Sequence, residues 1–213
     1  MHLLVDIGNT RVKYCFVEKT KLGDICYVLL NELSNESMDK LWSNVTSVIY
    51  ASVNDSHYST LIDYWANSHS IYCLQVHTEK ENFGVLNGYD NYQQLGVDRW
   101  LTLVATTLHY PHENAIIVDA GTATTIDVLD SSGNHMGGWI LAGIDTMVSS
   151  IVNNTANLFV ECGDVAELTF GKTTSDNLNI APWAATIGLI EQAVKLLETQ
   201  DDNPIKVIMT GGN

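Results

Sequence analysis

The 213-residue chain has little positive charge. Only ten residues are Lys or Arg, against 25 Asp and Glu, and the formal net charge is −15. A surface this acidic repels nucleic acid and anionic lipid, so we expect neither as a partner. Any phosphate ligand would therefore have to be held by backbone amides, a few individual cations and a metal ion.

Cysteines and long apolar runs are also scarce. The four cysteines show no CxxC pair or Cys/His ligand spacing, which argues against disulfides and structural zinc and favours a reduced, cytoplasmic protein (Cys15, Cys26, Cys73 and Cys162). No uninterrupted apolar run approaches about 18 residues, so we expect no membrane span. No basic segment precedes the first apolar run, so we expect no signal peptide.

The sequence does contain a repeated strand-and-turn pattern. Residues 3–10 and 116–123 each consist of an apolar run, an Asp, one further residue, a Gly and a small polar residue. A strand that ends this way presents a carboxylate and a tight turn whose amides can surround a phosphate. Two such turns predict two similar halves, residues 1–112 and 113–213, that face each other across a nucleotide.

Hydrophobic patterning predicts alternating strands and helices in both halves. In the first half it indicates a hairpin over 2–16, strands at 46–52 and 70–76, helices at 57–67 and 98–108, and a loop over 82–97. In the second half it indicates a hairpin over 115–129, helices at 144–158 and 181–198, and a strand at 206–209. We expect the five tryptophans (42, 65, 100, 139 and 183) in the core. The expected fold is a duplicated α/β fold with mixed sheets and an interdomain cleft.

The first turn, residues 6–13, carries groups that suit phosphate binding. Gly8 permits close backbone approach, Thr10 adds a hydroxyl, and Lys13 lies on the polar face of the return strand. Asp6 suits Mg²⁺, usually through water, because carboxylate and phosphate oxygens share that ion. An ordinary turn preceded by an Asp is the alternative, but the second copy of the pattern favours a phosphate site.

The second turn predicts a site for phosphate and a cation. Asp119 and Thr122 are the main candidates, because hydroxyls and a further acidic residue, Asp127, lie close to Gly121. The alternative is that the neighbouring threonines only favour a strand and that Asp127 is an exposed strand residue.

The segment 95–100, Leu-Gly-Val-Asp-Arg-Trp, joins the loop to a helix. Asp98 has two interpretations, an N-cap of the helix or an acceptor for a hydroxyl proton in phosphoryl transfer. Arg99 offers a planar fork for a carboxylate or phosphate. The residues alone leave both interpretations open.

Together these motifs resemble those of type III pantothenate kinase, a member of the superfamily of acetate and sugar kinases, heat-shock chaperones and actin. Residues 6–13 and 119–125 are similar to its two phosphate motifs, 95–100 to its substrate motif, and 138–143 and 210–212 to its later glycine motifs. The resemblance implies two ribonuclease H-like (actin-like ATPase) domains. It also implies ATP-dependent phosphorylation of the pantothenate hydroxyl to 4'-phosphopantothenate, the first step of coenzyme A biosynthesis.

The resemblance further implies a role for each matching residue. ATP with Mg²⁺ would be bound by Thr122 and the whole first turn (Asp6, Ile7, Gly8, Asn9, Thr10, Arg11, Val12 and Lys13). Pantothenate would be held by Tyr89, Gly96, Val97 and Arg99, with Asp98 as proton acceptor. Asp119 would bind a monovalent cation, K⁺ or NH₄⁺. Thr174 would reach the substrate across the interface of a homodimer. We expect apolar residues of the second-half helices at that interface (Ile187, Leu189, Ile190 and Val194).

Several positions depart from the family pattern. Tyr92 and Ala142 replace usual prolines, and Asn177 and Ile180 replace small residues near Thr174. The family continues for another strand and helix beyond residue 213, so we expect a truncated chain that binds ATP weakly. A sugar or acetate kinase and a non-catalytic nucleotide-binding regulatory protein are the alternative functions. Retention of the three motif aspartates favours the pantothenate kinase.

Overall fold

The computed structural model describes residues 1–53, 56–155, 167–200 and 203–211. The chain divides into two compact units. Unit 1 comprises Met1–Glu79 with Asn91–Leu101, and unit 2 comprises Lys80–Asp90 with Thr102–Asn213. The units are thus delimited differently from the predicted halves, whose boundary at residue 112 stays a prediction.

A mixed six-stranded sheet forms the centre of unit 1. Its strands are β1 (His2–Ile7), β2 (Arg11–Glu18), β3 (Lys21–Leu22), β4 (Cys26–Leu29), β5 (Ser47–Ser52) and β6 (Tyr72–Gln75). β2 pairs antiparallel with β1, β3 and β4, whereas β1, β5 and β6 run parallel. The first predicted hairpin is therefore confirmed, while β3 and β4 were not predicted.

Two helices supply the rest of the core of unit 1, α1 (Asn35–Leu41) and α2 (Ser56–Ser68). Ser34 begins α1 with a capping box, in which its Oγ accepts from the Ser37 N–H at 3.2 Å. Edge-to-face rings connect Tyr14 of β2 to Trp42 at 5.8 Å, and Trp42 to Trp65 of α2 at 5.7 Å. The long helix α3 (Val97–His109) begins in unit 1 and continues into unit 2.

Unit 2 is built on a second mixed sheet, with strand order β11-β10-β9-β12. Its strands are β9 (Asn114–Ala120), β10 (Ala123–Leu129), β11 (His135–Ala142) and β12 (Ile205–Gly211), and its helices are α4 (Ile144–Asn154) and α5 (Thr174–Glu198). A two-stranded ribbon, β7 (Glu81–Asn82) with β8 (Val85–Leu86), precedes them in the chain. Ala193 and Leu197 of α5 pack on the apolar face of β9 and β10.

The two sheets repeat one topology. In each, the strand that ends in the Asp-x-Gly turn pairs antiparallel with the strand that follows it. On its other side the same strand pairs in parallel with a strand that comes later in the chain, β5 in unit 1 and β12 in unit 2. This arrangement is the duplication that the sequence predicts.

Three local predictions were wrong or incomplete. The predicted loop over 82–97 contains the β7–β8 ribbon, which turns at Phe83 and Gly84, both with positive φ, and a short 3-10 helix at Tyr92–Gln94. Helix α5 begins at Thr174 rather than 181, because the Thr173 side chain caps it and Pro182 is accommodated inside. Trp183 is 39% exposed and does not join the core.

Helix α5 is long and apolar enough, on length and composition alone, to cross a bilayer, and within the described residues it is the sole such helix. The core helix of a water-facing protein passes the same test, and one face of α5 packs on the sheet of unit 2. The helix therefore gives only weak support for a membrane span.

Three cysteines lie in the described part of the chain, and all three are unpaired: Cys15, Cys26 and Cys73. Burial, aided by the neighbouring Asp63 carboxylate, raises the pKa of the Cys73 thiol to about 12. Burial also raises the pKa of Cys15. Both thiols therefore stay protonated and unreactive at neutral pH. Cys162 lies outside the described residues.

Candidate active site

The first Asp-x-Gly turn closes the β1–β2 hairpin. The Gly8 N–H donates to the Arg11 carbonyl at 3.0 Å, so it is used inside the hairpin. A Cβ at Gly8 would lie 3.2 Å from that carbonyl oxygen, tighter than most side chains tolerate. Glycine therefore suits the turn, and the amides of Asn9 and Thr10 remain as candidates for an incoming phosphate.

Asp6 and Lys13 lie directly opposite each other in the β1–β2 register. Residues in opposite positions project from the same face of a sheet, so one carboxylate and one ammonium group share this surface. Both line a groove of about 390 Å³ whose other walls are mainly apolar, including Leu4, Ile49 and Ala51. The charged pair stands at an otherwise apolar surface, where its field is less screened than in open water.

The second Asp-x-Gly turn carries a row of oxygen-bearing side chains. Asp119, at the end of β9, is opposite Thr125 of β10 on one side and Thr210 of β12 on the other. All three project from one face of the sheet, because they share a register position. Within the described residues, no group of three or more His, Cys, Asp or Glu side chains could hold a metal ion by itself. A cation here would depend on Asp119, hydroxyls and the ligand's own oxygens.

Two glycine backbones hold the second turn in place. A Cβ at Gly143 would lie 2.0 Å from the Gly121 carbonyl oxygen, and the Gly143 N–H donates to the Thr122 carbonyl at 3.0 Å. Gly211 has φ +117°, and a Cβ there would lie 2.1 Å from the Ala120 carbonyl oxygen. Neither position has room for a side chain, which explains the glycines without any ligand. Thr122 itself is exposed.

The substrate segment places a carboxylate in the first turn of α3. This helix begins at Val97, so Asp98 lies inside it rather than at the residue before it, and the simple N-cap interpretation does not hold. The Asp98 Oδ1 accepts from the Arg99 N–H at 2.8 Å and is partly exposed. A Cβ at Gly96 would lie 2.5 Å from this oxygen. Glycine at position 96 therefore leaves the space that the carboxylate occupies.

A polar cavity of about 290 Å³ adjoins this segment within unit 1. Leu95 and Val97 line it, together with four polar side chains that sequence reasoning missed: Ser52, His77, Thr78 and Gln93. The Thr78 hydroxyl donates to the Leu95 carbonyl at 2.8 Å and so fixes the segment. No local sequence signal marks these residues, because they come from three separate parts of the chain. Arg99, in the first turn of the same helix, is only 6% exposed.

The remaining predicted substrate residues lie in unit 2. Tyr89 is half-buried, and its N–H donates to the Asn87 side chain at 3.0 Å. Thr174 is the exposed first residue of α5, directly after the capping residue Thr173. A Cβ at Gly171 would lie 2.5 Å from Asn177 Oδ1, so the unusual Asn177 packs against the backbone that leads into the helix.

Comparison with known proteins decides the family. The profile of the type III pantothenate kinase family matches residues 2–196. A type III pantothenate kinase from Colwellia psychrerythraea is 39% identical over 213 residues, covering 100% of this chain and 85% of the relative. The enzyme of the same name from Pseudoalteromonas translucida is 38% identical with the same coverage. The chain belongs to the type III pantothenate kinase family.

Two solved structures of low sequence identity share the fold of this chain. A Campylobacter jejuni protein described as a Baf family transcriptional activator gives a TM-score of 0.62 at 24% identity, over 99% of this chain and 83% of that one. A Sinorhizobium meliloti protein described as a 2-dehydro-3-deoxygalactonokinase gives 0.57 at 10% identity, over 100% and 87%. The predicted sugar-kinase and actin-like fold class is confirmed.

The family profile spans both Asp-x-Gly turns, the substrate segment and Thr174. It ends before Thr210 and Gly211, so the resemblance of residues 210–212 to the last glycine motif stays a prediction.

The sequence allows Asp127 to be either a ligand or an exposed strand residue. In this kinase it is 1% exposed, and its Oδ1 lies 2.9 Å from Nε2 of His135, which is 2% exposed. The exposed-residue interpretation is therefore wrong. His135 was not singled out from the sequence, since a lone His carries no pattern.

Proposed function

We propose that this chain transfers the γ-phosphoryl group of ATP to the hydroxyl of pantothenate, the first step toward coenzyme A. The observation that carries the proposal is the space at Gly96, which admits a partly exposed carboxylate, Asp98, beside a polar cavity in a member of this family. In this reaction a new bond forms between the hydroxyl oxygen and phosphorus while the bond to the ADP oxygen breaks. The hydroxyl proton passes to Asp98.

Asp98 is suited to this role by its surroundings. Its Oδ1 is oriented by the Arg99 N–H, which leaves Oδ2 directed away from that bond to accept a proton. Phosphoryl transfer needs mainly positioning and charge stabilisation, so one oriented base and a well-placed hydroxyl suffice at the acceptor part of the site. The proposed contact of the pantothenate carboxylate is Arg99, whose burial reduces competition from water. By the family resemblance, Gly96, Val97 and Tyr89 are also assigned to pantothenate binding.

The ATP phosphates are assigned to residues 6–13 and Thr122. Lys13 supplies a positive charge opposite Asp6, and Mg²⁺ would be held by the phosphates with Asp6 as a partner through water. When bound, the ion neutralises charge on the transferring phosphoryl group. We further propose a cytoplasmic enzyme without nucleic-acid or membrane partners, in keeping with the net charge of −15.

The activity is tested by product formation. Purified protein with ATP, Mg²⁺ and K⁺ should convert pantothenate to a phosphorylated product, detected by mass spectrometry. Acetate and a panel of neutral sugars tested in parallel should give less than about one hundredth of that rate, because acetate lacks the hydroxyl and the sugars lack the carboxylate that the proposed site binds. A preference for a sugar or acetate would reject the proposed substrate while keeping the kinase fold.

We propose that Asp119 binds a monovalent cation, with Thr125 and Thr210 beside it in the same row. The phosphates of ATP meet few Lys or Arg side chains in this chain, so a bound K⁺ or NH₄⁺ would reduce the remaining repulsion. Turnover should rise at least about tenfold with K⁺ or NH₄⁺ over Na⁺ at equal ionic strength. Asp119→Asn should remove this difference. Equal rates with all three ions would exclude Asp119 from the cation role.

We also propose a homodimer whose sites are shared. Of the apolar α5 residues expected at an interface, Leu189, Ile190 and Val194 pack on the chain's own core. Ile187 is 38% exposed and lies one turn from Trp183, so these two form an exposed apolar strip. Such a strip is suited to a second copy of the chain.

Mixing two inactive variants tests this arrangement. An Asp98→Asn chain and a Thr174→Ala chain, combined as one dimer, should regenerate one intact site if each site takes Asp98 from one chain and Thr174 from the other. A random mixture should then recover about a quarter of wild-type activity. No recovery in verified mixed dimers, or a monomer by sedimentation at micromolar concentration, would reject the shared site.

A further inference from the structure

The segment Lys80–Asp90 is locked against the turn between β10 and β11. A Cβ at Gly88 would lie 1.8 Å from the His135 carbonyl oxygen, and one at Gly133 would lie 2.0 Å from the Gly84 carbonyl oxygen. The Leu86 N–H also donates to the Gly133 carbonyl at 3.0 Å. Backbone therefore meets backbone at two glycines, and the path of this segment is fixed immediately before Tyr89.

The ring of Tyr89 then lies on the ring of His135. The two centroids are 5.8 Å apart and the planes meet at only 18°, so the rings are stacked. A stacked neighbour restricts both the tilt and the χ1 rotation of a half-buried tyrosine. The orientation of Tyr89 thus depends on what holds His135.

Asp127 is the group that holds His135. Its Oδ1 lies 2.9 Å from His135 Nε2, and both side chains are at most 1% exposed. A carboxylate only accepts hydrogen bonds, so the proton of this bond is on Nε2. His135 Nδ1 has no hydrogen-bond partner among the described residues, so among them Asp127 alone anchors the ring through a hydrogen bond.

We infer that Asp127 and His135 are positioning residues for substrate binding, acting through the stacked ring of Tyr89. The inference rests on the proposed role of Tyr89 in holding pantothenate. A buried carboxylate–imidazole pair costs more to desolvate than an apolar pair of the same size, so a purely structural core gains little from it. The hydrogen bond does fix the plane of the His135 ring. A fixed His135 ring in turn orients the stacked Tyr89 ring for contact with a substrate.

Steady-state kinetics on the full chain test the inference. His135→Ala should raise KM for pantothenate about three- to tenfold, the range expected from losing one aromatic stack, and leave KM for ATP within about twofold. Asp127→Ala should raise KM for pantothenate, and Asp127→Asn should recover most of it, because the amide oxygen still accepts from Nε2. His109→Phe is the matched control, since it removes an exposed imidazole that also contacts a tyrosine ring, Tyr110.

A double variant keeps the test decisive if the single variants do not fold. His135→Phe with Asp127→Leu replaces the buried pair by apolar groups, and it should match the wild-type melting temperature while still raising KM for pantothenate. Unchanged KM in every folded variant, with a raised KM in Tyr89→Ala, would overturn the inference alone. Unchanged KM in Tyr89→Ala would overturn both the inference and the proposed role of Tyr89. The proposed function is tested separately, by whether the wild-type chain phosphorylates pantothenate.

Discussion

Replacing Asp98 by Asn should lower kcat by about 10²–10⁴-fold, because the amide cannot accept the hydroxyl proton during phosphoryl transfer. The amide keeps the shape of the carboxylate, and its oxygen can still accept from the Arg99 N–H, so the melting temperature should stay within about 2 °C. Initial rates with saturating ATP and pantothenate, together with thermal unfolding, measure both effects.

Asp24→Asn is the matched control, an exposed carboxylate in the loop between β3 and β4. Near wild-type turnover in Asp98→Asn would mean that the residue serves only the start of the helix. Unchanged ATP binding with no turnover in the wild-type chain would instead favour a nucleotide-binding regulatory protein.

Gly96→Ala tests the position of the Asp98 carboxylate without changing its identity. The new methyl would meet Asp98 Oδ1 at 2.5 Å, and the carboxylate must rotate away, since it is the more flexible group. A displacement of this size should lower kcat about 10²-fold with little loss of stability. Together, the two variants separate the identity of the base from its position.

The second large effect is expected at Gly143. A methyl group there would overlap the Gly121 carbonyl oxygen at 2.0 Å and the Thr122 carbonyl oxygen at 2.8 Å, so two backbone segments must separate. We expect Gly143→Ala to lower the free energy of unfolding by about 2–3 kcal/mol. KM for ATP should rise about tenfold if the second turn holds phosphate, because a displaced turn loses its proposed contacts.

Gly188→Ala provides the opposite control. A Cβ at Gly188 meets nothing within 4 Å, and the residue lies exposed in α5, so alanine should stabilise the chain by about 0.5–1 kcal/mol. Denaturant unfolding of both variants gives the comparison. Equal stabilities in the two variants would show that the Gly143 contact does not constrain the second turn.

The parts of this molecule that the sequence predicted well are those with a local cause. In each hairpin, a strand with an apolar or alternating apolar and polar pattern lies on either side of a glycine turn. Both hairpins, β1–β2 and β9–β10, could therefore be predicted from the local sequence. The two motif aspartates are found at strand ends because the pattern itself places them there. The residue roles derived from family resemblance stay predictions until they are measured.

The parts that were missed have a tertiary cause. Ser52, His77 and Gln93 become cavity walls only when three distant segments meet. Asp127 and His135 form a pair across an antiparallel register that contains a bulge, which no spacing rule would have indicated. The first two turns of α5 were missed because the helix was predicted to begin at residue 181, whereas the Thr173 side chain caps a start at Thr174 and Pro182 lies inside the helix.

The parallel pairing of β12 with β9 has a consequence for the order in which unit 2 assembles during synthesis. β9, β10 and β11 can pair as consecutive hairpins as soon as they leave the ribosome, but β12 joins β9 at a partner roughly ninety residues earlier in the chain. At about 5–20 residues per second, translation leaves that edge of β9 open for several seconds. Five of its seven residues are buried in the finished sheet. The nascent chain therefore exposes an apolar, unpaired strand edge, and this interval is when aggregation competes with folding.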